Sequence, residues 1–566
     1  MSRYATLVLF AAVAAPSACT KDAPPPADAV FVNGAVYTMN AAQPQASAVA
    51  IRDGAIVYVG DNEGALSYTG AETYQEDLDG RMLLPGFHDT HAHVLAGGMA
   101  LGGCNLEDAR DGKRVLAMVE QCMEEFDYPP AEWVIGARWA LAAFADGNPR
   151  KEWLDEIFGQ RPAFFVDTFS HSAWVSSRAL EIAGISKDTP DPPQGVIERD
   201  PATGEPTGTL RDSAMELVSK HIPEASADEI EAGILRGLEA AAAFGITAFI
   251  EPGLNELQAA TYADMDRRGE ISARVLGSLS PLSWHAGRIA EGLDELLAKR
   301  ANWRGPMFRA ESVKVYIDGV IETKTSFMLK PYSDDSNFPP FYEAAALNGL
   351  YEHLHAAGLQ IHTHAIGDAA IRLALDAYEH ASKTVGPLDN RHHIVHLQLI
   401  DEADIPRFAE LGVAASFQGV WAYPDEYIDV AEALVGRDRV ERFYPVASVE
   451  RAGGLVVGGS DWDVSSLNPL DAIETLVRRQ DAYEATGPRL GVNENLGLAS
   501  ALQAYTSRAA YLMGLEKVSG SIEVGKRADL IVIDRDLFAG PVTDINNAEV
   551  VLTLVDGKEV YRADRL

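Results

Sequence analysis

Cysteine is scarce in this chain: three residues in 566, at positions 19, 104 and 122. Two cysteines in the body of a chain this long define no disulfide framework, and they are not assigned to a metal. Cys104 and Cys122 are read either as a pair in an oxidising compartment or as two buried thiols. Positive charge is also short, with 47 Lys and Arg against 83 Asp and Glu and a net charge of −36. That balance argues against nucleic acid or an anionic membrane surface as partner. It does not restrict a small-molecule substrate, which senses only the field of its own pocket. Long apolar runs are lacking too. The longest, Ala5 to Ala15, follows Arg3 and is too short to span a bilayer.

That run reads as a signal peptide over residues 1–19. Ser17, Ala18 and Cys19 resemble a bacterial lipoprotein cleavage box, although Pro16 stands where a branched aliphatic is usual. The expectation is an exported protein on the periplasmic side of the envelope, lipid-anchored through Cys19, with a Pro-rich tether over 20–28. What the chain does have is apolar content of 47%, ample for a core larger than one small domain.

Short β-rich runs occupy both ends, over 29–84 and 513–566, with turn chemistry at Asn33-Gly34, Asp53-Gly54, Gly525-Lys526 and Asp556-Gly557. They predict one small β-sandwich built from both termini. Between them, over 85–512, strand-like and helical runs alternate, the pattern of a parallel α/β fold. Eight strands are expected at 86–93, 246–251, 274–279, 312–318, 360–364, 393–397, 413–417 and 456–461. Eight β/α units fit a closed TIM-like (β/α)8 barrel with its site at the C-terminal strand ends. A doubly wound open sheet is the alternative, but it would not gather residues from so many strands. The gap of about 104–240 after the first strand is too long for a loop. It is read as an insertion folded over the barrel mouth.

The chemistry gathers at the expected strand ends. In LLPGFHDTHAHV, His91 and His93 alternate onto one face, and paired imidazoles on a buried face call for a metal. In SVKVYIDG, Val313, Val315 and Ile317 face one way, and Lys314, Tyr316 and Asp318 face the barrel interior. An interior lysine has a depressed pKa, and its neutral amine can add carbon dioxide to form a metal-bridging carbamate. A plain lysine paired to Asp318 or to a substrate carboxylate is the other reading. His364 and His396 end two further strands, while His362, His392 and His393 read as packing or supporting groups. In GGLVVGGSDWDVSS, Asp461 is the candidate proton carrier or metal carboxylate, and Asp463 the better helix cap. Nitrogen and oxygen ligands without thiolate suit zinc, with manganese, iron or nickel as alternatives.

These stretches, together with HTHAIGDAAIR, IVHLQLI and GSIEVGKRADLIVID, resemble the third amidohydrolase group of the amidohydrolase superfamily, the YtcJ-like metal-dependent hydrolases. The resemblance runs from about residue 30 to the end. It implies His91, His93, His364 and His396 as metal ligands, carbamylated Lys314 bridging two zinc ions, and Asp461 as ligand and proton shuttle. His171, in SHSAWVSSRALEIAGI, resembles the family's Gly-His segment near the substrate. Departures bear on the substrate: Ser170 and Ser177 replace the usual Gly and Asn. Ala140 and Leu141 stand where an Asp is common, and Glu251, Glu322 and Lys324 are unusual.

The function expected is hydrolysis of a non-peptide carbon–nitrogen bond (amide, N-formyl or cyclic amide) by metal-bound hydroxide, with His171, Arg478 and Arg479 as candidate substrate contacts. An esterase, lactonase or carbamate hydrolase of the same fold is the first rival. A non-catalytic periplasmic binding protein and a one-metal deaminase rank below it.

Overall fold

The structure, a computed structural model, describes residues 24–564 apart from 107, 108, 110, 126–132, 145, 146, 194, 281–291 and 492, with the side chain of 125 also left aside. The expected signal peptide with Cys19, and residues 20–23 of the tether, lie outside the described residues. No described helix is long and apolar enough to cross a membrane.

Eight parallel strands stand side by side in chain order: β1 (Phe87–Asp89), β2 (Ile246–Leu254), β3 (Arg274–Leu279), β4 (Phe308–Tyr316), β5 (Gln360–Ala365), β6 (His393–His396), β7 (Ala414–Gln418) and β8 (Val456–Gly459). All eight overlap the segments where the sequence places them. The seam between β8 and β1 is nearly closed. Thr90 N–H donates to the Gly458 carbonyl at 3.1 Å, and Asp461 N–H to that of His91 at 2.7 Å. Across it, the Asp89 carboxylate accepts from the N–H groups of both His91 and Ser460.

Alternation along β4 is as read. Val313, Val315 and Ile317 pack in the main apolar core, whereas Lys314 and Tyr316 line the central cavity. Asp318 differs: it is buried beside the strand end and accepts from the N–H groups of Phe327, Ile366 and Gly367, so it fixes two loops rather than pairing with Lys314. The first strand also differs from the expected 86–93, because it stops at Asp89. His91 and His93 lie beyond it, where the chain turns into the helix Val94–Leu101.

That helix is pressed against the helix Ala227–Ala243, which opens with a Ser226/Glu229 capping box. The contact is glycine-mediated. A Cβ on Gly98 would come within 1.9 Å of the Gly233 carbonyl oxygen, and one on Gly237 within 2.2 Å of that of Val94. Backbone contact of this kind sets the angle at which the chain leaves His93.

Two further sheets involve the ends of the chain. A four-stranded sheet uses N-terminal strands alone (Ala55–Gly60, Ala48–Arg52, Ala29–Val32, Tyr74–Asp77). A six-stranded sheet joins Lys558–Arg562, Val550–Val555 and Leu530–Ile533 to Met82–Pro85, Ala35–Tyr37 and Gln45–Ala46. Phe31, Ile51, Leu83, Val532 and Leu552, drawn from both, share one apolar cluster. Asp53-Gly54 and Asp556-Gly557 make their hairpins with positive φ at both residues. Asn33-Gly34 is not a hairpin, since the strands on either side enter different sheets.

The stretch between β1 and β2 carries its own six-stranded sheet, running in space from Gly195–Arg199 through Pro206–Asp212, Ser172–Val175, Ala163–Asp167 and Val134–Trp139 to Cys104–Asn105. Cys104 and Cys122 are joined by a disulfide, which ties an edge strand of this sheet to the helix Gly112–Glu125. The two-thiol reading is thereby corrected.

Candidate active site

The C-terminal ends of the barrel strands open into a cavity of about 2000 Å³. Its lining comes from two sources: barrel residues such as His91, Lys314, His364 and Asp461, and residues 133, 135–138 and 166–171 of the stretch that carries the inserted sheet. The side chains at its floor, among them His91, Lys314, His364 and Asp461, are buried, which strengthens the polar interactions among them.

The six residues predicted as ligands converge there. The Asp461 carboxylate is the hub, with Oδ1 3.0 Å from His91 Nε2 and 3.3 Å from His93 Nε2, and Oδ2 3.7 Å from His396 Nδ1. Lys314 Nζ lies 3.4 Å from His91 Nε2. The His364 ring centre is 4.5 Å from that of His396. Among the described residues, His91, His396 and Asp461 form a group whose ligand atoms fall within 4.8 Å of one another.

Local structure explains why the residues meet. Asp461, His396 and Leu397 have positive φ, so the chain bends sharply as it leaves β6 and β8. Gly459 permits the closest approach, since a Cβ there would stand 2.9 Å from the His91 nitrogen. The expected cap role for Asp463 is corrected: no helix starts beside it, and the helix Pro469–Arg478 is capped by Asn468 instead.

Electrostatics fit a cation. Burial pushes His91 down to about 3, and His364 and His396 well below the ordinary imidazole range, so all three are neutral lone-pair donors. Burial also brings Lys314 down to about 7, which makes a neutral amine accessible. Burial alone would raise Asp461, but the electrostatic pull of the imidazoles packed against it, His91 first and then His93 and His396, outweighs it and holds the carboxyl well below its usual range. Neutral imidazoles, an ionised carboxylate and a titratable amine, with His91 Nδ1 buried without a hydrogen-bond partner, form a donor set that suits a divalent metal.

Surrounding groups orient these side chains. Gln418 Oε1 lies 3.0 Å from His396 Nδ1, which favours a proton on Nδ1 and leaves Nε2 as donor. Trp421 stacks on the same imidazole at 5.5 Å. His362 sits 3.0 Å from Ser278 Oγ, with its ring against His91 and His393, in the supporting position read for it.

The inserted sheet contributes His171. Its Nδ1 lies 2.7 Å from Asp212 Oδ1, and its ring centre is 5.7 Å from that of His364. Burial works to lower its pKa, but Asp212 and then Asp167 overcome this and raise it.

Arg478 and Arg479 do not belong to this constellation, and their reading as substrate contacts is corrected. Neither lines the cavity. Arg478 is held by Glu474 and the carbonyls of Asp481 and Glu484, and Arg479 by those of Leu490 and Phe443. Both fasten the segment after the helix Pro469–Arg478. Sequence reasoning missed Asp212, Gln418 and Trp421. None carries a local signal: Asp212 is far along the chain from His171, and Gln418 and Trp421 are ordinary residues until the end of β7 and the turn Gly419–Trp421 after it bring them to His396.

A (β/α)8 barrel with histidines and an aspartate at its strand ends defines a metal-dependent hydrolase type of site. The chain belongs to the amidohydrolase family, whose sequence profile matches residues 76–561. It is similar to Protein LONG AFTER FAR-RED 3 of Arabidopsis thaliana, at 29% identity over 94% of this chain and 92% of that protein. It is also similar to YtcJ of Bacillus subtilis, at 29% identity over 94% and 99%. With the N-substituted formamide deformylase of Arthrobacter pascens it shares 26% identity over 95% and 98%. Among solved structures, an uncharacterized metal-dependent hydrolase from Pyrococcus horikoshii matches its fold with a TM-score of 0.71 at 23% identity, over 91% of this chain and 99% of that one.

Proposed function

We propose that this protein is a metal-dependent amidohydrolase that cleaves a non-peptide carbon–nitrogen bond: an amide, an N-formyl group or a cyclic amide. The observation that carries the reading is the convergence of Asp461 with His91, His93, His396 and Lys314 in one cavity. The similarity to an N-substituted formamide deformylase supports the choice of bond. His91, His93, His364, His396, Asp461 and a carbamylated Lys314 would hold two ions, zinc by preference. When bound, such ions polarise a carbonyl and make water acidic.

The chain's own groups then do the rest. Asp461 accepts a proton from the attacking water on its carboxylate and returns it to the leaving nitrogen. His171, fixed by Asp212, contacts the substrate from the side of the inserted sheet, and that sheet limits solvent entry. A panel of matched formamides, acetamides, cyclic amides and esters, assayed with added zinc or manganese, tests the reading. Turnover is expected on one of the nitrogen-linked compounds at least about tenfold above its ester partner. Preference for the esters throughout would hand the function to the esterase and lactonase reading.

We also propose that the protein is exported and lipid-anchored through Cys19. The Cys104–Cys122 disulfide supports an oxidising compartment, since such bonds seldom persist in a reducing cytosol. Expression in a bacterium with radiolabelled palmitate should label the wild-type chain in the membrane fraction and leave Cys19→Ser unlabelled. Equal labelling of both, or of neither, would refute the anchor.

A further inference from the structure

Barrel strand β2 carries an acid on the face where an apolar residue is expected. Ala248 and Ile250 share an apolar cluster with Leu276, Ala414 and Val457 of β3, β7 and β8, and so face the barrel axis. Phe249 joins the separate core that packs strands against helices. Alternation puts Glu251 on the same outward face as Phe249. It is 2% exposed there. Both faces of a barrel strand are ordinarily apolar, and a carboxylate buried between strand and helix is costly unless its oxygens are used.

They are used at the helix that follows His93. Glu251 Oε2 accepts from the Leu95 N–H at 3.1 Å and from the Tyr262 hydroxyl at 2.8 Å. Leu95 is the second residue of the helix Val94–Leu101, and its N–H has no partner within the helix. The cap position belongs to His93, and a cap residue ordinarily satisfies such an N–H with its own side chain. His93 makes no bond of that kind. Its ring is turned away, with Nε2 3.3 Å from Asp461 Oδ1. Glu251 supplies the missing cap from another strand. The backbone of β2 adds a second hold, since the Ala92 N–H donates to the Ile250 carbonyl at 3.1 Å. Tyr262 is itself fully buried and stacks on Phe308 of β4 at 5.1 Å, so the carboxylate is anchored in turn.

His93 needs this support more than its neighbours do. Strand β1 ends at Asp89, so no strand carries His93. Its side chain is 26% exposed, against 1% for His91 and 4% for His396 around the same carboxylate, so packing holds it least. We infer that Glu251 is a positioning residue: by capping the helix Val94–Leu101 in place of His93, it leaves the His93 imidazole free for a divalent metal ion and fixes where that imidazole stands. The inference rests on the reading of His93 as a metal ligand and deepens it.

The test is the zinc affinity of the full-length protein, stripped of metal and titrated with zinc against a chromophoric chelator. Wild type is compared with Glu251→Gln, His93→Ala and the double variant. Glutamine keeps the volume but loses the charge that suits a helix N-terminus and one of the two acceptor oxygens. Glu251→Gln is expected to weaken zinc binding at least about tenfold. In the His93→Ala background the same change should cost nothing further, because no imidazole remains to be placed. Tyr262→Phe keeps the carboxylate and removes its anchor, so it should give a smaller loss, again only where His93 is present.

A cap that served stability alone would behave differently. The melting temperature of the metal-free protein would fall equally with and without His93, and zinc affinity would stay within about twofold of wild type, which overturns the inference. It is also overturned if the losses of the two single changes simply combine in the double variant. Should Glu251→Gln fail to fold, Tyr262→Phe answers the same question with the carboxylate in place. If His93→Ala binds zinc as tightly as wild type, the ligand reading of His93 fails first, and the role of Glu251 falls with it.

Discussion

Asp461→Asn is expected to lower kcat about a thousandfold, roughly 4 kcal/mol of transition-state stabilisation, while most of the bound metal is retained. The substitution keeps the volume of the side chain and an oxygen, so it leaves the packing around 461 intact. It removes the negative charge, and with it the capacity to accept a proton. That capacity depends on the environment described above: the carboxylate sits among His91, His93 and His396 and is held ionised by them. An amide oxygen in its place still accepts hydrogen bonds but is a far weaker base. Metal content by elemental analysis, set beside turnover on the best substrate of the amide panel, gives the result. Activity within tenfold of wild type at equal metal content would remove Asp461 from the proton pathway.

Lys314→Met should have the other large effect. Lys314 has no exposed surface, and its ammonium form is disfavoured by burial to the point that half is neutral near pH 7. A neutral amine that has added carbon dioxide would supply two oxygens to the floor of the site. Methionine of similar length supplies none, and its apolar side chain fits the buried position without an unpaired charge. We expect metal content to drop by about half and turnover to fall at least about a hundredfold. Lys314→Ala leaves space, so short carboxylic acids such as propionate should restore part of the activity to it and none to Lys314→Met. Full metal content in both variants would show that Lys314 bridges nothing.

The sequence declares its barrel strands because parallel strands buried on both faces are short apolar runs, and their ends carry the polar residues that chemistry needs. His91, His93, Lys314, His364, His396 and Asp461 were legible as a converging set for that reason, each inside or just beyond the C-terminal part of a strand. Arg478 and Arg479 were misread because a buried arginine beside a site looks alike whether it meets a substrate or a backbone carbonyl. Only the loop that folds back over the helix Pro469–Arg478 distinguishes the two. Asp318 was misread similarly: period two along β4 gives its approximate direction, but three N–H groups from other loops claim it.

What the sequence determined by itself was the order of the strands, the identity of the ligand-type side chains and the family, because these depend on residue type and spacing along one chain. What only the tertiary structure decided was the set of partners across elements: Asp212 behind His171, Gln418 behind His396, the disulfide, and Glu251 at the start of the helix after His93. Those depend on the close approach of segments far apart in the chain. Local periodicity fixes the face on which a side chain stands and is silent about which distant segment meets it there.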